Sequence, residues 1–332
     1  MSGSQPTSER VMLLANGYWA TAILGTAATY SLFTHLQSGA DTAEQLAARA
    51  GISTRGAQTL LDGLVALDLV ELHEGSYRNT AEAATFLVEG QPACLSSFAK
   101  LKLAHMSSVA ALPDIVRTGG PVANATVEVP NNPHWEKMVR DIAALSVPVA
   151  TIAADLLQLA DAGEVSILDV GGGSGIYSAI WLGLNPAARA TQLDWGPVNA
   201  IARRLTAEHR VADRLTCIDG DFHTTDLGTA AYDIAVYSHI AHQEGPDDNI
   251  ALLARIRTAL KPGGTLVICD YVVHDDRTGP PFPLLFAAEM LLKSNDGGTW
   301  RQADYHTWLT KSGYQHISFH PTPTPGTLIL AR

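Results

Sequence analysis

Ile167-Leu168-Asp169-Val170-Gly171-Gly172-Gly173-Ser174-Gly175 is the stretch on which the reading of this 332-residue chain turns. The mostly apolar run Val165 to Leu168 reads as a buried strand and passes straight into a glycine-rich turn. Ile176 to Leu184, just beyond, has the apolar content of a helix. Strand, glycine turn and helix open a nucleotide-binding α/β unit. Glycines suit that turn because the backbone must bend tightly, with positive φ available, and let a ligand lie against the main chain.

The spacing selects the ligand. A dinucleotide loop has the form Gly-x-Gly-x-x-Gly, yet counting on from Gly171 and Gly173 the third position is Ile176. The chain instead carries Asp169 two residues ahead of Gly171, and an acid there favours a cationic group over a pyrophosphate. The next strand signal, Ala190 to Leu193, ends in Asp194. A carboxylate at that point can accept both hydrogen bonds of a ribose diol. A ligand with an amino-acid end and a ribose satisfies both acids, and S-adenosylmethionine is the cofactor expected from them.

Composition sets the bounds. Hydrophobic residues make up 46% of the chain and charged ones 17%, which leaves room for a buried dimer surface as well as a core. The length allows two domains. A net charge of −11 argues against a large nucleic-acid footprint, because phosphate binding needs clustered Lys and Arg. Cys94, Cys217 and Cys269 are far apart and odd in number, which implies a reducing compartment with neither a disulfide framework nor a metal site. No run approaches the ~20 uninterrupted apolar residues of a membrane span, and the N-terminus lacks a basic-then-apolar export signal. No membrane partner and a cytoplasmic location are expected.

Val11 to Leu36 is apolar and helical on more than one face, so it should be covered on several sides, and a second subunit is the candidate cover. A helix capped by Asp41 or Thr42 follows, then Gly51-Ile52-Ser53, a second helix over Thr54 to Leu67, and a hairpin around His73-Glu74-Gly75-Ser76. Helix, turn, helix and hairpin make a winged helix, a module that often binds DNA. Here Arg55 is the one basic residue of the second helix, and residues 1–100 hold five basic and nine acidic residues. Dimerisation is the expected use.

Residues 92–160 read as helical, with breaks at Pro113, Gly119-Gly120-Pro121 and Pro130 to Pro133. His105, Met106, Trp135 and Met138 are the side chains there most able to line an apolar pocket, with core packing the competing fate. From Val165 strands and helices alternate, with a short element expected near 224–230. Lys261-Pro262-Gly263-Gly264 should stop the helix over 247–260, and a closing hairpin pairs Ile317–His320 with Thr327–Leu330. The alternation predicts an α/β, doubly wound, mostly parallel sheet. The domains expected are a winged-helix dimerisation domain over 1–95, a helical linker over 96–160 and a Rossmann-like catalytic domain over 161–332.

The order of winged helix, helical linker, Leu168-Asp169-Val170-Gly171-Gly172-Gly173-Ser174-Gly175, Gly220-Asp221-Phe222 and Leu260-Lys261-Pro262-Gly263-Gly264 resembles the class I S-adenosylmethionine-dependent small-molecule O-methyltransferases. These comprise the plant caffeate and flavonoid enzymes and their bacterial natural-product relatives. The resemblance implies a homodimer built through the N-terminal helices and S-adenosylhomocysteine as the spent cofactor. It places Asp169, Gly171 and Gly173 at the methionine part of the cofactor, Asp194 at the ribose and Asp221 with Phe222 at the adenine. Trp195 and Ser238 join this cofactor set. It also implies that His242, just after the fourth strand, is the catalytic base and that Asp270 orients it. An imidazole, titrating near ~6.5, suits proton removal from a phenol-like hydroxyl.

By the same resemblance Phe286, Met290 and Asn295 belong to a substrate-wall helix, and His239 is a structural residue or pocket wall. Two departures stand out. Gln243-Glu244 follow the base where Asp and Trp are usual, and Thr299-Trp300-Arg301 stands where a second orienting Glu is expected. An O-methyltransferase acting on a small aromatic or polyketide-type acceptor is the leading expectation. C- or N-methylation, a non-methylating cyclase or decarboxylase, and a winged-helix regulator are its rivals.

Overall fold

The structure is a computed structural model and describes residues 6–121 and 132–332. Two compact units divide the chain at Ser107/Ser108. The helical stretch 96–160 is shared between them.

The first unit runs α1 (Glu9–Ala15), α2 (Tyr18–Thr29), α3 (Leu32–Gln37), α4 (Ala43–Ala50), α5 (Thr54–Ala66), β1 (Val70–His73), β2 (Ser76–Asn79), α6 (Ala81–Phe86) and α7 (Ser96–Val109). Side-chain caps set three of the helix starts. Thr42 accepts from the amide of Gln45 at 3.3 Å, Ser53 from Gly56 at 3.0 Å and Thr80 from Ala83 at 3.3 Å, each contributing ~1 kcal/mol. The expected winged helix is present: α4, turn, α5 and the antiparallel hairpin with Val70 opposite Asn79. Leu32, Phe33, Leu46, Leu61 and Leu64 form its core. Helix α1 buries none of its residues, and Val11, Leu13 and Leu14 are 68%, 68% and 71% exposed.

The second unit holds α8 (Leu112–Thr118), α9 (Pro133–Leu156), β3 (Ser166–Val170), α10 (Ile176–Leu184), β4 (Arg189–Asp194), α11 (Gly196–Glu208), β5 (Leu215–Asp219) and β6 (Tyr232–Ser238). It continues through α12 (Pro246–Ala259), β7 (Leu260–Asp270), α13 (Pro281–Lys293), α14 (Gln302–Lys311), β8 (Ile317–Pro321) and β9 (Thr327–Ala331). Pro133 opens α9, where its missing N–H costs nothing; Pro130 lies outside the described residues. The helix also runs through Pro148, because Val149, Ala150, Ala153 and Ala154 pack into the core beside it.

The strands form one sheet in the order β5-β4-β3-β6-β7-β9-β8. All pairings are parallel except those of β9, which runs antiparallel between β7 and β8. The period-2 alternation of strand side chains builds a core on each face. Leu168, Val170, Ala235, Tyr237, Leu266 and Ile268 face one way; Ile167, Val236, Val267 and Cys269 face the other.

One local expectation needs correction, and a second is met inside a longer strand. Residues 224–230 form no helix or strand; a turn over Phe222–Thr225 leads into an irregular stretch there. The segment Lys261-Pro262-Gly263-Gly264 does follow the end of α12, yet it lies within β7 rather than in a separate loop. Pairing jumps from Tyr232↔Leu260 to Ile234↔Thr265, so the four residues bulge out of the ladder.

Candidate active site

The chain leaves β3 for β4 and β5 on one side and returns to β6 on the other. This reversal opens a crevice at the carboxyl ends of β3 and β6, the place where open α/β sheets bind ligands. Four strand ends deliver the side chains singled out from the sequence: Asp169 from β3, Asp194 from β4, Ser238 from β6 and Asp270 from β7.

Gly171 and Gly173 adopt φ of 65° and 57°, in the left-handed region that glycine enters without strain. Asp194 ties the turn down. Its Oδ2 accepts from the Gly173 amide at 2.8 Å and its Oδ1 from the Trp195 amide at 2.7 Å. Each oxygen keeps a second lone pair for a further donor. Gln192 and Asn199, both fully buried, extend the brace. Gln192 Nε2 donates to Gly173 O and to Asn199 Oδ1, each at 3.1 Å. Neither was evident from the sequence; for Gln192 the one signal was an amide within the strand Arg189–Asp194, and Asn199 on α11 gave none.

Asp169 is 1% exposed, and its Oδ2 has no hydrogen-bond partner among the described residues. A Cβ on Gly172 would stand 2.7 Å from its Cγ and 2.7 Å from Gln192 Cδ, so the turn leaves no room for a side chain. Burial, with Asp194 nearby, pushes the Asp169 carboxyl up to about 7. Burial lifts Asp194 to about 6, against the two amide hydrogen bonds. A buried carboxylate pair with an orphaned oxygen calls for a cation. The ammonium end and sulfonium of S-adenosylmethionine, with a ribose for the spare lone pairs of Asp194, fit this donor set.

Beyond β5, Asp221 Oδ1 accepts from the His223 amide at 2.8 Å and shapes the turn that presents Phe222. Arg255 on α12 fixes that turn through the carbonyls of Phe222, His223 and Thr225. Phe222 Cε1 would lie 3.7 Å from a Cβ on Gly171, so Phe222 and the glycine turn share one wall. Ser238 Oγ donates to Tyr177 OH at 3.2 Å.

His242 and Asp270 meet. The imidazole Nδ1 lies 2.6 Å from Asp270 Oδ1, and the His242 amide donates to Asp270 Oδ2 at 3.0 Å. The Tyr271 amide adds a third bond to Oδ1 at 2.7 Å. Burial raises the Asp270 carboxyl, but the charge and hydrogen bond of His242 outweigh it and hold it below the usual range. An anion on Nδ1 fixes the tautomer that leaves Nε2 free to accept a proton.

Aromatic rings enclose the pair. Tyr271 stacks on His242 at 5.7 Å and 25°, and Phe286 meets it edge-on at 5.1 Å and 86°. His239, with its ring centroid 5.9 Å from His242, is pushed down to about 4 by burial, so it stays neutral at pH 7. His239, His242 and Asp270 each bring one ligand atom within 4.8 Å of the others, a spacing open to a metal ion, although Asp270 already spends both oxygens on His242 and Tyr271.

The expected wall residues divide. Phe286 packs against His242, and buried Met290 follows one turn later on α13. Asn295 is exposed beyond the helix end. Trp135 and Met138 are half-buried on α9 beside Val139, whose Cγ1 would lie 3.3 Å from a Cβ on Gly173. His105 and Met106 stand on α7 in the first unit. Sequence reading missed Tyr271 and Phe282, which complete the aromatic enclosure.

Comparison with known proteins bears on this arrangement. Residues 136–315 match the model of the O-methyltransferase domain and residues 12–89 that of the O-methyltransferase dimerisation domain. The tetracenomycin polyketide synthesis 8-O-methyl transferase of Streptomyces glaucescens is 29% identical over 97% of this chain and 96% of its own length. The 3-hydroxy-5-methyl-1-naphthoate 3-O-methyltransferase of Streptomyces sahachiroi is 30% identical over 98% of this chain and 95% of its own. Human N-acetylserotonin methyltransferase, solved with S-adenosylmethionine, superposes with a TM-score of 0.83 at 24% identity, covering 100% of this chain and 99% of that one. With more than half of its length matched by the catalytic-domain model and its N-terminal residues by the dimerisation model, the chain belongs to the O-methyltransferase family.

Proposed function

We propose that this methyltransferase acts on a hydroxyl of a small aromatic, polyketide-type acceptor, with His242 as the general base. The observation that carries the reading is the buried His242–Asp270 pair inside an aromatic enclosure, 2.6 Å between Nδ1 and Oδ1. S-adenosylmethionine, when bound, supplies the electrophilic methyl group. Asp169 and the Gly171–Gly173 turn hold its methionine part, Asp194 and Trp195 its ribose side, Asp221 and Phe222 its adenine, and Ser238 the end of β6 beside it. Phe286, Tyr271 and Met290 hold the flat acceptor and keep water from the hydroxyl. His242 Nε2 takes the hydroxyl proton as the oxygen becomes nucleophilic, and Asp270 stabilises the imidazolium that results. Alignment of acceptor and methyl group contributes much of the acceleration, and deprotonation adds ~10²–10⁴-fold.

Loss of the second carboxylate does not by itself require other chemistry, because the base and its orienting acid are in place. The exposed apolar face of α1, on a dimerisation domain, supports a homodimer. The acidic balance of the first unit speaks against a DNA regulator.

His242→Ala tests the reading. With a panel of phenolic and polyketide acceptors and isotope-labelled cofactor, mass spectrometry should find a product heavier by one methyl group for the wild type. The variant should lose ~10²-fold or more in kcat while calorimetry finds cofactor affinity retained. Undiminished turnover in the variant would remove His242 from the mechanism.

A further inference from the structure

We propose that the loop from Ser294 to Trp300 is the second support of the base, holding His242 by its backbone where a second carboxylate would hold a ring. The inference rests on the reading of His242 as the base. Three consecutive carbonyls of the base segment accept three donors from this one loop. Trp300 Nε1 donates to Ala241 O at 3.0 Å, the Gly298 amide to His242 O at 2.8 Å and Ser294 Oγ to Gln243 O at 2.8 Å. Ser294 also accepts from the Gly297 amide at 2.9 Å, which closes the loop on itself.

The fit has no slack. A methyl group on Gly297 would stand 2.5 Å from His242 O, 2.7 Å from Ser294 Oγ and 2.9 Å from Gln243 O, all inside van der Waals contact. Buried Asn249 holds the same segment, its side-chain amide nitrogen lying 3.0–3.1 Å from Ala241 O, Glu244 O and Gly245 O and sharing its two hydrogens among them. A shift of the His242 peptide would therefore break its bond to the Gly298 amide and strain the neighbouring bonds of Ala241 and Gln243. The His242 amide, in turn, is one of the two bonds to Asp270.

The loop reaches the base from an independent part of the chain. Trp300 is 59 residues from Ala241, and its ring is packed edge-on against Trp308 at 5.3 Å and 72°. That packing fixes the direction of the indole N–H. Gly297 and Trp300 are thus positioning residues, acting through the peptides at and on either side of His242.

Two substitutions test the role. Gly297→Ala drives a methyl into the His242 carbonyl, and Trp300→Phe keeps the ring but deletes its donor. Both should lower kcat, Gly297→Ala by ~10–10²-fold, as expected when a catalytic group is misplaced by up to an ångström, and Trp300→Phe by about fivefold, the worth of one hydrogen bond. The KM values for acceptor and cofactor should hold within about twofold. Proton NMR supplies the second readout: the Nδ1 proton, deshielded by its short contact with Asp270, should shift or broaden in both variants. Ile256→Val, a core change in α12 away from the loop, should lower the melting temperature and leave kcat and that resonance in place. Wild-type kcat and an unmoved resonance in Trp300→Phe would overturn the proposal, even if Gly297→Ala failed to fold. Undiminished turnover in His242→Ala would instead overturn the base assignment beneath it.

Discussion

Replacing Asp169 by Asn should flatten the dependence of folding stability on pH. In the folded chain burial and the neighbouring Asp194 lift the Asp169 carboxyl from 3.8 to about 7. Between those limits the folded protein keeps a proton that the unfolded chain has lost, so the native state binds more protons and stability falls as pH rises. At ~1.4 kcal/mol per pKa unit, the whole window is worth roughly 4 kcal/mol and the part between pH 5 and pH 8 roughly 3. The side chain is 1% exposed, so solvent does little to weaken the effect.

Denaturant unfolding of the cofactor-free protein at pH 5 and at pH 8 measures it. The wild type should lose more stability across that interval than Asp169→Asn, by up to ~3 kcal/mol. S-adenosylmethionine brings a positive charge to the pair, so it should raise the melting temperature of the wild type more at pH 8 than at pH 5, and the difference should shrink in the variant. Parallel stability curves for the two proteins would refute the assignment of Asp169 as a buried acid that awaits a cation.

Asp270→Asn places an amide where two amides and an imidazole nitrogen all need acceptors, so one donor must face another. Steady-state kinetics should show kcat down ~10²–10⁴-fold with cofactor affinity intact by calorimetry. Prolonged EDTA treatment should leave turnover unchanged, because the oxygens of Asp270 are committed to His242 and Tyr271; loss of activity restored by a divalent ion would make the His239–His242–Asp270 cluster a metal centre. Leu13→Glu with Leu14→Glu on α1 should convert a dimer to a monomer in size-exclusion light scattering, since burying each apolar side chain is worth ~1.5–3 kcal/mol.

What the sequence disclosed followed from contiguity. Asp169 and the glycines sit in one motif, Asp194 and Asp270 each close a strand, and His242 follows the strand that precedes Asp270 in the sheet. Alternating apolar runs and turn spacing singled out Asp169 and Asp194; His242 and Asp270 were singled out by the family resemblance. The supports were hidden because they are long-range. The indole of Trp300 reaches Ala241 across 59 residues, and Arg255 reaches the carbonyl of Phe222 across 33, distances over which residue type carries no pairing information. Tyr271 escaped notice because an aromatic next to a buried strand is ordinarily core. The segment Lys261-Pro262-Gly263-Gly264 does follow the end of α12 as its residue types suggest, while its second role, a bulge in the β6–β7 ladder, depends on the pairing with β6 and leaves no mark in residue type.

The reversed direction of β9 has a practical side. Its first residue, Thr327, lies level with Asp270, and its penultimate one, Leu330, with Val267, so the strand carries the chain away from the chemistry. A fluorophore, affinity handle or solid support fused after Arg332 would emerge from the opposite rim of the sheet, leaving the crevice of this unit open to its acceptor. The connection between β8 and β9 is the wrong place for such an attachment: Gly326 packs with its Cβ position 2.9 Å from Cys269 Sγ and 3.9 Å from the carbonyl oxygen of Asp270.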